Sequence, residues 1–459
     1  MSRPLQRPHR RAVLLAAVAT LFIAVGCGDD EATGPYGGGE PIDRGPQTSI
    51  MIPAGEPIVI GISTALTGGP NAERGMEYRD AAIVAIERWK NANGAQIAGH
   101  DIQVRAEDDG CGASYTDAAG ETRYVAVDAA DSLLAIPGLV GVIGPQCSSG
   151  SLAAIPAYDD AGIVMISGSA TTTSLTEDQP EGRFFFRTAY RNDLEGTLIG
   201  IFVGGSPELG IDSAVIIDNG ETYGQDLANA AAQVSEEFGL TVMRDSIVEG
   251  TVDFSATVAR IMAADPAFVG FAGFNPEASL LYSQLRDAGY DGIFGAGDGA
   301  ASLVSFVGPV GAENAEGVLF AGCTVPLPQD FLDEFLELHG HQPSAAFPAQ
   351  YADAATILLD AVAAVAQVEE DGSLLIQPAT LRDAVRATSL EGGLSGAIAF
   401  DAFGDRRPPG VKDLDEFLSQ ALAGQDPTGY EDLGLIPCQV QDGKLVNLLG
   451  PNAGEFRLP

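Results

Sequence analysis

Apolar and polar positions along this chain follow two alternating patterns. Short, mostly apolar runs occupy residues 58–66, 139–143, 163–166, 214–217, 267–272 and 292–295. Each run spills into Gly, Ser, Thr, Asn or Asp. Between the runs, apolar residues recur three and four positions apart, at 75–91, 148–162, 225–238, 253–262, 277–288, 350–368 and 380–388. An unbroken apolar run suits a strand covered on both faces, and the longer spacing suits one face of a helix. Their alternation predicts a parallel sheet with helices on both sides. The pattern restarts after residue 189, so the chain is expected to be α/β, with two doubly wound, Rossmann-like lobes. In the helix at 75–91, Tyr78, Ala82, Ala85, Ile86 and Trp89 share one face, which makes the single tryptophan a core residue.

The stretch 139–176, LVGVIGPQCSSGSLAAIPAYDDAGIVMISGSATTTSLT, organises the rest. It reads as strand, loop, helix, strand and loop, with both loops at carboxyl ends of strands. Ligands of open α/β sheets bind at that edge. Loops of this kind lie at 145–149, 168–172, 219–224, 273–276 and 296–299, two in the first lobe and three in the second. Two sheets facing each other bring all of them to one cleft. Their residues suit a zwitterion. Ser148 at a helix start can hold a carboxylate through its hydroxyl and backbone N–H. Thr171 can add a hydroxyl and an N–H, and the Ser169 carbonyl can accept from an ammonium. Asp298 can neutralise that ammonium with a full charge. Each residue also has a purely structural reading: Ser148 as an N-cap, Asp298 as a turn residue, Thr172, Thr173 and Ser174 as loop and cap residues.

Charge and cysteines narrow the setting. Arg3, Arg7, Arg10 and Arg11 precede an uncharged apolar run at 12–26, too short for an ordinary membrane span. Ala24-Val25-Gly26-Cys27 resembles a bacterial lipobox. Residues 1–26 therefore read as a lipoprotein signal peptide, Cys27 as the lipid anchor, and the Gly-, Pro- and acid-rich segment 27–55 as a tether. Beyond the leader stand 20 basic and 63 acidic residues, a formal charge of −43. That balance speaks against nucleic acid as a partner. Cys111, Cys147, Cys323 and Cys438 remain, an even number in an exported chain, which favours disulfides over free thiols. Three pairings are open. If the strand at 102–106 neighbours the one at 139–143, the loops carrying Cys111 and Cys147 meet.

GPQCSS, followed by a strand and SGSATT, resembles the leucine/isoleucine/valine-binding type of amino-acid-binding protein, a type I periplasmic solute receptor of ABC importers. The resemblance runs from Pro57 to Phe403 and resumes near Leu435. It implies two lobes joined by a three-crossover hinge: 56–189 with 325–408, and 190–324 with 435–459, with 409–434 as an insertion. It supports the pair Cys111–Cys147, which leaves Cys323–Cys438. It gives Ser148, Ser169, Thr171 and Asp298 the ligand-binding roles above and implies aromatic lids at Tyr223 and Phe274. Asp298 and Phe274 stand where the family usually has glutamate and often tyrosine. The implied partners are a small amino acid of branched-chain type, or a close analogue, and ABC permease subunits. The membrane is met only through the lipid, the chain is a monomer, and no cofactor is expected.

Other functions find less support. Cys147 or Ser148 as a nucleophile needs a base, and none of the four histidines follows a strand end. His339 and His341 show no further metal-ligand spacing. A ligand sensor for amides, urea or amino acids is the second reading, built on the same fold.

Overall fold

All seven residues of one strand, Ile58–Thr64, are buried, and the first lobe is built around it. The computed structural model describes residues 49–69, 71–177, 179–204, 210–323, 325–407 and 434–448. The leader, Cys27, the tether as far as residue 48, and the expected insertion apart from Gly434 lie outside the described residues.

The tether ends sooner than its composition suggests. Ile50–Ile52 is a strand, β1, paired antiparallel with Leu374–Ile376. Three apolar residues are too few to show a period, and it is the distant partner strand that orders them.

After β1, the strand Ile58–Thr64 (β2) leads to helix α1, Asn71–Asn93. A short strand β3, Gln96–Ile97, precedes β4, His100–Asp108. The small hairpin Ser114–Thr116 (β5) and Thr122–Tyr124 (β6) precedes helix α2, Val125–Leu134. Strand β7, Leu139–Ile143, helix α3, Ser148–Ala161, strand β8, Val164–Ser167, and strand β9, Phe185–Arg187, complete the lobe. The sheet order is β3-β4-β2-β7-β8-β9, with β3 alone antiparallel. Strand β2 thus lies between β4 and β7, so the strands leading to Cys111 and Cys147 are not neighbours. The two loops reach over the end of β2 instead, and the disulfide Cys111–Cys147 spans it with Cα atoms 4.9 Å apart. Helix α1 packs beside the helix Pro348–Val365, and Trp89 is buried there, its Nε1 donating to Asp360 at 2.7 Å.

Helix α4, Asn192–Gly204, carries the chain to the second lobe. Its strands are β10, Ser213–Asp218; β11, Thr241–Ser246; β12, Phe268–Ala272; β13, Ile293–Ala296; and β14, Leu319–Phe320. Helices α5, Thr222–Glu237, α6, Ser255–Ala264, and α7, Glu277–Asp287, connect them. The order is β11-β10-β12-β13-β14, all parallel, followed by the antiparallel strands Cys438–Gln441 and Lys444–Asn447. The disulfide Cys323–Cys438 fastens that hairpin beside β14. The chain passes between the sheets three times: after β9, after β14, and between Arg407 and the closing hairpin.

Several elements leave no clear apolar pattern. Strand β11 is an edge strand with an exposed or half-exposed residue at every position, so TVMRDS shows no apolar run. Helix Gln329–His339 buries only Phe331 and Phe335, and acidic residues fill much of the remainder. Arg406, near the end of the first lobe's second segment, is fixed by distant partners. It pairs with Phe400 in a small sheet, is buried, and donates to the carbonyls of Thr188 and Ser395.

Candidate functional site

The loop after β7 is held by Gln146. Its N–H donates to Asp109 at 2.7 Å, its Oε1 accepts from the Ala65 N–H, and its Nε2 donates to the Asn71 carbonyl. Burial pushes the Asp109 carboxyl up to about 6, although backbone N–H bonds from Gln146 and Cys111 oppose the shift. Gly75 lets α1 come this close: a Cβ there would sit 1.9 Å from the Ala65 carbonyl oxygen. Helix α3 starts at Ser148, with Cys147 in the extended N-cap conformation. Ser148 is therefore not the N-cap. Its hydroxyl accepts from the Thr172 N–H at 3.2 Å and so joins the loops after β7 and β8. Ser169 donates through Oγ to the Gln146 carbonyl at 2.6 Å and meets the Tyr351 hydroxyl at 2.9 Å.

From the second lobe come Tyr223, in the first turn of α5, Phe274, after β12, and Asp298, after β13. Tyr223 and Phe274 stack with ring centroids 5.1 Å apart. The Tyr223 hydroxyl also accepts from the Gly299 N–H at 3.1 Å. Asp298 is almost wholly buried. Its N–H donates to Glu195 Oε1 at 2.7 Å, and its carboxylate accepts from the Tyr190 hydroxyl at 3.0 Å.

Ser148, Ser169, Tyr223, Phe274 and Asp298 line one small cavity, together with Arg74, Tyr78, Gln146, Cys147 and Phe347. Thr171 is not among the lining residues. It is buried, its carbonyl accepts from the Asn192 N–H, and its hydroxyl has no protein partner. A larger cavity, beneath α4 and α5, is lined by Leu198, Phe202, Ile216, Leu227 and Phe268 among others. Among the described residues no charged side chain faces it, and it lies away from the facing loops.

Pattern reading missed Arg74, Tyr190 and Glu195. Glu195 lies fully buried on α4, against Asp298. Burial, and then the Asp298 charge, hold the Glu195 carboxyl well above the usual range. Asp298 is also raised by burial, with Tyr223, Tyr190 and the Arg74 charge opposing. Burial thus holds both carboxyls above the ordinary carboxylate range, Glu195 the more strongly. A glutamate in a mostly apolar helix is the one sequence signal that marked Glu195.

The lobes also touch beside the cavity. Asp226 Oδ2 on α5 accepts from Thr172 Oγ1 at 3.0 Å, from Thr173 N–H at 2.8 Å and from Thr173 Oγ1 at 2.7 Å. Thr172 and Thr173 are thus interlobe contacts as well as loop residues. His339 and His341 have a partner that their spacing did not reveal: both approach Asp80, at 3.5 and 3.3 Å. No group of side chains among the described residues could hold a metal ion.

The sequence profile of a family described as periplasmic binding protein matches residues 57–409. The chain belongs to that family. Among curated relatives, an amino acid binding protein of Pseudomonas aeruginosa is 31% identical over 57% of this chain and 66% of its own length. A leucine-, isoleucine-, valine-, threonine-, and alanine-binding protein of the same organism is 27% identical over 77% of this chain and 88% of its own. Among solved periplasmic binding proteins, the leucine binding protein LivK of Thermotoga maritima superposes with a TM-score of 0.66, at 23% identity over 85% of this chain and 97% of its own. LivJ of Streptococcus pneumoniae, solved with isoleucine, gives 0.65, at 22% identity over 85% and 98%. These structures share the two-lobed α/β fold.

Proposed function

We propose that this protein is an extracytoplasmic solute-binding lipoprotein of an ABC importer, which takes a small amino acid or close analogue into the cleft between its lobes. One observation carries the reading: Ser148 and Ser169 of one lobe share a single small cavity with Tyr223, Phe274 and Asp298 of the other. The ligand carboxylate goes to the start of α3, its ammonium to Asp298, and Tyr223 and Phe274 cover it. The relatives named for amino acids, and the neighbour solved with isoleucine, support an amino acid as cargo. A thermal-shift screen of the common amino acids is the test, since a ligand that binds only the folded state raises its melting temperature. No shift with any of them would overturn the reading.

Closure by hinge bending gives Asp226 a role, because its bonds to Thr172 and Thr173 cross the cleft. Asp226→Ala is expected to favour the open form and weaken ligand binding roughly tenfold, the value of about one hydrogen bond to a charged group. Small-angle scattering of the ligand-free variant should show a larger radius of gyration. An unchanged radius and affinity would remove Asp226 from the closing contact.

Export and anchoring rest on the leader and on Ala24-Val25-Gly26-Cys27. Cys27→Ser is expected to move the protein from the membrane fraction to the soluble one. A variant that still sediments with membranes would disprove the lipid anchor.

A further inference from the structure

Two buried arginines invite comparison. Arg187 is fully engaged: Nε donates to Asp405 at 2.6 Å, Nη1 to the Thr172 carbonyl at 2.7 Å, and Nη2 to Thr176 Oγ1 at 2.6 Å. Arg74 lines the cleft and is 9% exposed. It has no carboxylate in contact among the described residues. Its Nη1 donates to the Gly299 carbonyl across the cleft, and its Nη2 donates to Asn71 Oδ1 at 3.0 Å. Its Nε is buried with no partner at all. The guanidinium lies over the Phe274 ring, 5.2 Å from the centroid. A guanidinium carries five N–H donors, and a buried charge is normally paired. This one is held in place by ring and backbone, and most of its donors remain unused.

Ser148 at the start of α3, the Asp298 carboxyl and the Arg74 guanidinium all line the cavity. A small α-amino acid with an aliphatic side chain meets only the first two. Its apolar end would bury the guanidinium further and give it no acceptor, which is costly. We propose that Arg74 selects a ligand with a second carboxylate, an acidic amino acid, whose side-chain carboxylate takes the free guanidinium donors. This rests on the amino-acid reading above and names the side-chain class. It departs from the apolar and small amino acids for which a relative is named, because an Arg–carboxylate pair is charge-assisted and often bidentate. The Arg74 charge also opposes the burial that raises the Asp298 carboxyl.

The test is calorimetric titration of the whole soluble domain with L-glutamate, L-aspartate, L-glutamine, L-asparagine and L-leucine. Wild type should bind glutamate or aspartate at least about tenfold more tightly than the matching amide, since only the acid forms the ion pair. Arg74→Leu should lose roughly 30-fold or more for the acid and much less for the amide. Arg74→Lys keeps the charge and should recover part of the loss. It also serves if the leucine variant fails to fold. Tighter binding of leucine or an amide than of either acid overturns the proposal and leaves the amino-acid reading standing. Equal losses for acid and amide in Arg74→Leu overturn it too, because Arg74 would then be only an interlobe contact. No binding by any of the five in wild type overturns it, and the thermal-shift screen separately decides the wider reading.

Discussion

Asp298→Ala is expected to weaken ligand binding by about 30-fold to several thousand-fold. The carboxylate is buried at the cleft, its N–H is fixed by Glu195, and the Tyr190 hydroxyl orients it. An ammonium brought against it loses water, and the closing lobes lower the local dielectric. Removing the carboxylate then leaves a buried charge without its partner, a cost of about 2–5 kcal/mol. Calorimetry on the ligand from the screen measures the effect, with thermal unfolding as the control for folding. Ser148→Ala should cost less, about 1–3 kcal/mol, because backbone N–H groups at the start of α3 remain. Unchanged affinity in Asp298→Ala would exclude the ammonium assignment and point to a neutral ligand.

Asp405→Ala should lower the unfolding free energy by about 3–5 kcal/mol. Arg187 is wholly buried on β9, with Asp405 its carboxylate partner at 2.6 Å. Arg191, at the start of the first crossing, reaches the other Asp405 oxygen at 3.4 Å. Asp405 thus joins the segment that leaves the first lobe after β9 to the strand end beside the third crossing. Truncating it strands a guanidinium where water cannot follow. Urea unfolding should show the drop in midpoint with little change in slope. The double variant Arg187→Met, Asp405→Leu should regain part of the loss, because an apolar pair needs no charge partner, although the Thr172 carbonyl loses its donor. A single-variant loss below about 1 kcal/mol would mean that water reaches the pair.

Elements buried on both faces were the legible ones. Strands β2, β7, β8, β10, β12 and β13 each carry an apolar run that ends in small polar residues, and all were read within a few positions. Helix α1 starts earlier than its apolar stripe, since Asn71 and Arg74 are buried polar residues and carry no apolar period. Edge strand β11 and helix Gln329–His339 escaped for the opposite reason: they are half solvated, and their composition follows the solvent.

What the sequence by itself determined is the succession of βα units, the restart that makes a second sheet, and which loops close each strand. These are local properties, set by burial period and by Gly, Ser, Thr and Asn at strand ends. What only the tertiary structure decided is who meets whom. The sheet order placed β2 between the strands leading to Cys111 and Cys147, and let their loops bridge it. It set Ser148 one position inside α3, with its hydroxyl toward Thr172. It brought Glu195 from a helix against Asp298 and Arg74 over Phe274, partners more than a hundred residues apart. A buried charge leaves no periodic trace in the chain, because its environment is assembled from both lobes only when they fold.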